Sequence, residues 1–248
     1  MRRPQAIVSF ARDYAKGDLL PYHRHKRAQL VYASRGTMTV KTRTASYLVP
    51  PQRAVWMPSQ TDHGIEARSA FSMQSLYIDP DQVSGLPESV GVLQIVPLLR
   101  ELIATAIALG NDYAADDPTA RIMSVIVDQI RAQPAVDVLM LPLPEDQRLL
   151  RITEALIDNP ADSRDLAQWA KQVGASPRTL NRLFPAQTGL TFREWRQQRR
   201  LLRALELLDQ GMRITDISLE LGYESTSAFI AMFRRYLGTS PGRYLDAD

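Results

Sequence analysis

The chain reads as a multidomain α+β protein: an N-terminal β-barrel with helices after it, then an all-α domain carrying a tandem helix-turn-helix. Three observations predict this. Up to residue 80, short runs of alternating apolar and polar residues are broken by prolines and glycines, the texture of a small barrel or sandwich. Between residues 88 and 133, apolar residues recur at helical intervals. From Ser163 to Leu245, a pattern of apolar residues around a glycine occurs twice, and a duplication of that kind reads as helix, turn, helix.

The strand signals come first along the chain. Ala28 to Ala33 and Thr37 to Lys41 flank the turn Ser34-Arg35-Gly36, and Met38 and Val40 alternate with Thr37, Thr39 and Lys41, the period of a half-buried strand. Tyr47 to Pro51, Ala54 to Met57 and Phe71 to Ile78 continue the series, with Trp56 expected in the core. This predicts a barrel over 1–80. A helical packing or dimerisation segment is expected over 81–133. Val92, Leu93, Val96, Leu99, Leu102, Ile103 and Ile107 predict one helix over 88–109; Ile122, Val125, Ile126 and Ile130 predict another over 119–133. Prolines at 134, 142 and 144 mark 134–144 as the linker, with Val138 to Leu141 packing rather than floating. A helix from Glu145 to Asp158 opens the last domain, 145–248.

In the first copy of the duplication Trp169 precedes Gly174, followed by Leu180, Phe184 and Gly189; in the second Ile217 precedes Gly222, followed by Phe229, Phe233 and Gly238. The two units span about 163–189 and 213–238. Ser176-Pro177 supplies an N-cap hydroxyl and a proline at the first helical position, and Gly189 a helix end. Pro185 predicts a kink after Phe184. Thr191 and Glu194 form a capping box that opens a helix from Phe192 to Asp209. Those 18 residues would span about 27 Å at 1.5 Å per residue, against the ~34 Å between successive major-groove faces on one side of B-DNA.

Composition sets the bounds. The 248 residues suffice for two domains, and 45% are apolar. No window approaches a membrane span, residues 1–10 lack the apolar core of a signal peptide, and there is no cysteine for disulfides or thiolate metal sites. A cytoplasmic location is expected. Lys/Arg and Asp/Glu number 12 and 5 in residues 1–80, 3 and 8 in 81–143, and 15 and 14 in 144–248. The last part is nearly neutral, yet seven arginines (178, 182, 193, 196, 199, 200, 203) fall between Ser176 and Arg203 against the single acid Glu194. Arginine's fork suits phosphate and guanine; some of the seven are expected to pair with acids instead.

The second copy, from Ile214 through Gly222-Tyr-Glu-Ser-Thr-Ser-Ala-Phe229 to Ser240-Pro-Gly-Arg-Tyr244, resembles the signature of the AraC/XylS family of bacterial transcription regulators. The resemblance covers about a third of the chain strongly. It implies a sequence-specific DNA-binding regulator that meets double-stranded operator DNA and RNA polymerase, with no catalytic residue. Base-reading positions of the family match Arg178, Asn181 and Arg182 in the first recognition helix and Thr226, Ser227 and Ala231 in the second. Ser176, Thr179, Ser225 and Arg234 complete the expected DNA face, and Arg199 and Arg200 are the phosphate candidates. Arginine reads guanine and asparagine adenine, so the first unit is expected to carry most of the discrimination.

All three histidines lie in the strand-rich region. Gly17, five residues, His23-Arg-His25, three residues, Gln29, six residues and Gly36 resemble the first cupin motif; Pro58 to His63 resembles the second. Gln29 stands where cupins carry glutamate, and Gln60 where glycine is usual. The resemblance implies a cupin-like sensor barrel in which His23, His25, Gln29 and His63 surround either a divalent metal, the one cofactor candidate, or a small organic effector. The basic cluster Arg24, Lys26 and Arg27 would suit an anionic effector or simply a solvated edge. In such regulators the helices after the barrel form a homodimer face. The alternative is a cupin metalloenzyme, a dioxygenase or isomerase, with an accessory DNA-binding domain.

Overall fold

The computed structural model describes residues 5–133 and 139–245. Two compact units emerge, Met1–Thr42 with Tyr47–Met140, and Arg43–Ser46 with Leu141–Asp248.

The first unit is strand-rich: β1 (Ile7–Tyr14), β2 (Leu19–His23), β3 (Ala28–Arg35), β4 (Met38–Lys41), β5 (Ala45–Val49), β6 (Arg53–Met57), β7 (His63–Ala67), β8 (Phe71–Ile78) and β9 (Gly91–Gln94). With β10 (Met140–Pro142) they form two five-stranded sheets, ordered β1-β8-β3-β6-β9 and β10-β5-β4-β7-β2. Central strand β3 is buried from Ala28 to Ala33, because both faces of its sheet are covered. On one face Leu30, Tyr32, Trp56, Leu76 and Ile78 pack beneath two helices, α1 (Pro97–Leu109) and α2 (Pro118–Ala132). Those helices present Leu99, Ile103, Met123, Ile126 and Ile130 to the sheet, the apolar stripe of a half-buried helix. On the other face lie Gln29, Val31, Val55, Met57 and Ser75, all buried, and there the His25 and Tyr77 rings meet 5.0 Å apart. Trp56 is a core residue, and its indole N–H donates to the Pro87 carbonyl at 2.8 Å. Gly36 turns β3 into β4 at φ +70°, where a Cβ would lie 2.0 Å from the Ala70 carbonyl oxygen; only glycine fits.

Two expectations are corrected here. Val92 and Leu93 belong to β9, paired with Val55 and Ala54 of β6, so the barrel runs past residue 80 and α1 starts at Pro97, not 88. Val92, Leu93 and Val96 have helical spacing, but Pro97 disfavours helix in the residue before it, and a free strand edge at β6 was there to be paired. The linker expected over 134–144 ends in strand β10, with Leu139 and Leu141 buried; Val138 and the rest of 134–138 lie outside the described residues.

The second unit is helical: α3 (Gln147–Asp158), α4 (Leu166–Val173), α5 (Pro177–Thr188), α6 (Phe192–Asp209), α7 (Ile214–Glu220), α8 (Thr226–Leu237) and α9 (Pro241–Leu245). Asp146 caps α3 through the Arg148 amide, so the helix begins two residues later than Glu145. The apolar residues of the two copies all face inward, with Trp169, Leu180, Phe184, Ile217, Phe229 and Phe233 at 0% exposure. Phe184 packs edge-on against Phe192, and Phe229 likewise against Phe233. The caps are those the residues call for. Ser176 accepts from the Thr179 amide, Thr191 and Glu194 close a reciprocal box, and Gly189 and Gly238 end α5 and α8 in the left-handed conformation at φ 71° and 72°. Helix α5 continues through Pro185 to Thr188, with the Pro185 carbonyl accepting from Gly189.

Candidate DNA-reading face and histidine cluster

Each helix-turn-helix places its second helix with one face in the core and the other in solvent. On α5, Leu180 and Phe184 turn inward, which sends Ser176, Arg178, Asn181 and Arg182 outward; all four are exposed and Thr179 is half-buried. The Ser176 and Thr179 hydroxyls lie 2.9 Å apart at the helix start. Among the described residues, the side chains of Arg178, Asn181 and Arg182 make no hydrogen bond or ion pair. Three polar groups held rigidly and left unspent on one face are what a base-reading helix needs. On α8, Ser225 caps the helix through the Ala228 amide, Ser227, Ala231 and Arg234 are exposed, and the Thr226 hydroxyl meets Ser218 at 3.1 Å. That face is short-chained and nearly uncharged until Arg234 and its exposed neighbour Arg235.

Arg199 and Arg200, expected at phosphate, are corrected: both point into the domain, 6% and 8% exposed. Arg199 donates through Nη2 to the Ile157 carbonyl at 2.9 Å and pairs with Glu206 at 3.6 Å. Arg200 donates through Nε to the Pro160 carbonyl at 2.9 Å and lies 5.4 Å from the centre of the Tyr223 ring. The physical reason is the C-terminus of α3. A helix end leaves carbonyls without intrahelical partners, and the guanidinium fork supplies donors to those buried at Ile157 and just beyond at Pro160. Arg196 similarly donates to the Arg164 carbonyl at 3.0 Å, and Arg203 bridges Glu206 and Glu220 of α7, both at 3.0 Å. The arginine run is therefore mainly a set of struts from α6 to its neighbours, with Arg193 left exposed. Burial raises the Tyr223 phenol to about 12, so it stays neutral and donates to Gln197 at 2.8 Å.

In the first unit the topology brings the three histidines together. His23 ends β2 and sits opposite His63 at the start of β7, and His25 follows two residues on. One ring nitrogen from each lies within 4.8 Å of the others. His63 Nδ1 faces the Thr61 carbonyl at 2.9 Å, and His23 Nδ1 faces that of Pro21 at 2.7 Å. A carbonyl accepts only, so each Nδ1 carries a proton and each Nε2 is the nitrogen turned to the cluster. The Nε2 atoms of His25 and His63 are buried without a hydrogen-bond partner. Burial, the largest influence, pushes the His63 imidazole down to about 4 and lowers that of His25 too, so His63 is neutral at physiological pH. Gln29 reaches the group through Tyr77. Its amide nitrogen donates to Ser75 Oγ and Tyr77 Oη, both at 3.1 Å, while its carbonyl oxygen is buried and unpartnered. Ser75 and Tyr77 were missed from sequence; the signal was the alternation along β8, which puts both on the face that also holds Gln29.

Two braced helix-turn-helix units, in a chain that also carries a strand-rich domain with a buried polar cluster, define a DNA-binding regulator with a sensor module. Comparison with known proteins agrees. Residues 7–159 match the AraC-like ligand binding domain, and residues 169–247 match a helix-turn-helix domain. The chain is 36% identical to the HTH-type transcriptional regulator NimR of Escherichia coli (strain K12), over 98% of this chain and 89% of that one. It is 31% identical to the arabinose operon regulatory protein of Escherichia coli (strain K12), over 41% of this chain and 35% of that one. ToxT from Vibrio cholerae O395 is similar in structure at 12% identity, covering 97% of each chain with a TM-score of 0.40. The protein belongs to the AraC family of DNA-binding transcription regulators and carries that family's N-terminal ligand-binding domain. No helix among the described residues is long and apolar enough to cross a membrane.

Proposed function

We propose that the protein regulates transcription by reading an operator chiefly through Arg178, Asn181 and Arg182 of α5. The observation that carries this is the unspent, exposed polar face of α5 over a fully buried Leu180 and Phe184. Ser176 and Thr179 flank that face; Ser225, Thr226, Ser227, Ala231 and Arg234 of α8 make a second, weaker contact through hydroxyls, a methyl and one cation. The protein works in the cytoplasm, meets RNA polymerase at its promoters, and pairs as a homodimer. Exposed Leu98, Leu109 and Val125 on α1 and α2 support the dimer. In vitro selection from random DNA tests the reading: recovery of a defined motif supports it, and a pool left unenriched overturns it.

The histidine cluster is proposed to hold a divalent metal that anchors the effector. The donor set fits, since the buried Nε2 atoms of His25 and His63 lack a hydrogen-bond partner beside His23, and the unpartnered Gln29 oxygen is a weaker fourth. A metal there would supply a Lewis-acidic point for a donor atom of the effector. His23, His25 and His63 would bind it; Tyr77 and Ser75 hold Gln29 in place. A cupin-type metalloenzyme would use the same residues. We favour the sensor because the relatives are regulators and the paired reading helices serve DNA, and oxygen consumption by metal-loaded protein would reverse that preference.

A further inference from the structure

Outside the barrel, the first unit contains a cavity of about 660 Å³ between the start of β1, the turn around Val83, the loop at Tyr113 and one face of α2. That lies within the ~300–1,000 Å³ range of small-molecule sites. Its floor is apolar: Ile7, Tyr113, Met123 and Val127 line it and are 3%, 8%, 2% and 4% exposed. The walls are fixed from behind. The Tyr113 hydroxyl donates to the Ile7 carbonyl at 2.6 Å, Gln5 donates to the Tyr113 carbonyl at 2.5 Å, and Arg27 holds the Gln5 carbonyl at 2.6 Å. Across the mouth, Arg131 of α2 donates to the Ser84 carbonyl, tying helix to turn.

We propose that this cavity is a binding site for an uncharged, largely apolar small molecule with hydrogen-bonding edges, separate from the histidine cluster. The chemistry selects that class. The ionised lining side chains are Asp128 and Arg131, and they neutralise each other at 3.1 Å. A charged ligand would have to break that pair or lie unpaired against the apolar floor. At the rim the Ser124 hydroxyl, which donates to the Ala120 carbonyl, offers its oxygen as an acceptor, and the Gln5 amide, whose Nε2 donates to the Tyr113 carbonyl, offers its second N–H and its oxygen to a neutral one. A molecule seated here rests on α2 along Met123 and Val127, so it braces that helix against β1.

Two fluorescent probes of the same shape test this on the full chain: neutral N-phenyl-1-naphthylamine and its sulfonated analogue, 8-anilinonaphthalene-1-sulfonate. The neutral probe is expected to bind the more tightly. Ser124→Trp, at an exposed position in the mouth, puts an indole where the probe enters and should weaken the neutral probe about tenfold. Asp128→Asn frees Arg131 and should tighten the sulfonate while leaving the neutral probe unchanged. His63→Ala should alter neither, which keeps this result apart from the metal reading. Circular dichroism establishes that each variant is folded. Neutral-probe affinity untouched by Ser124→Trp, or lost in His63→Ala, would overturn the assignment.

Discussion

Replacing Arg199 by alanine separates a strut from a phosphate contact. The Arg199 side chain is 7% exposed and its partner Glu206 3%, so truncation takes a counter-charge from a buried carboxylate and a donor from the Ile157 carbonyl. Breaking a buried pair by removing one partner costs about 3–5 kcal/mol. Arg203 still holds Glu206 at 3.0 Å, which puts the expected loss at the lower end, about 3 kcal/mol. Against a domain stability of ~5–15 kcal/mol the variant still folds. Urea unfolding followed by far-UV circular dichroism, with Arg193→Ala as the exposed control, measures the loss; the control should stay within about 0.5 kcal/mol. In DNA binding the roles reverse. Arg199→Ala, assayed where it is fully folded, should keep the wild-type salt slope, because it takes no cation from the DNA surface. Wild-type stability with a shallower slope would return Arg199 to phosphate.

Other outcomes follow from the same geometry. Burial holds the His63 imidazole near 4 in the folded chain against ~6.5 unfolded; the unfolded state then binds the extra proton, so metal-free protein should lose stability as pH falls through that window. The full effect is about 3 kcal/mol, and a urea midpoint unchanged from pH 7 to 4.5 would contradict it. Calorimetry with Zn²⁺, Ni²⁺ and Fe²⁺ on tag-free protein should show binding at pH 8 that is lost in acid, abolished by His63→Ala and strengthened by Gln29→Glu, which adds an anionic oxygen; affinity no better than about millimolar would end the metal proposal. Gly36→Ala sets a Cβ against the Ala70 carbonyl at positive φ and should cost more than the ~1 kcal/mol at the centre of the point-mutant range; an unchanged melting temperature would show that the turn relaxes freely.

The C-terminal fold was legible because its signals are local. Ser176-Pro177, the Thr191/Glu194 box and Gly189 mark helix ends through hydrogen bonds spanning three or four residues, and α6 runs over the residues those signals delimit. Tertiary partners were not legible. The arginine run looked like a DNA face because nothing in its spacing tells of the carbonyls of Ile157 and Pro160, some 40 residues away. β1, β2 and β7 were not picked out as strands; exposed residues interrupt the alternation of β1 and β2, and β7 is five residues long. The histidines were found by spacing, whereas Tyr77 and Ser75 join them only through the pairing of β3 with β8.

Whether α5 reads bases is decided by comparing Arg182→Ala with the wild type on a selected operator and on a scrambled duplex at one salt concentration. Arg182 is exposed and has no described partner, so the substitution should leave stability unchanged. A base-reading Arg182 gives a loss of about 1–3 kcal/mol on the selected site, a relaxed preference at one base pair, and a much smaller loss on the scrambled duplex. An equal loss on both would make Arg182 a phosphate contact and contradict α5 as the reading helix.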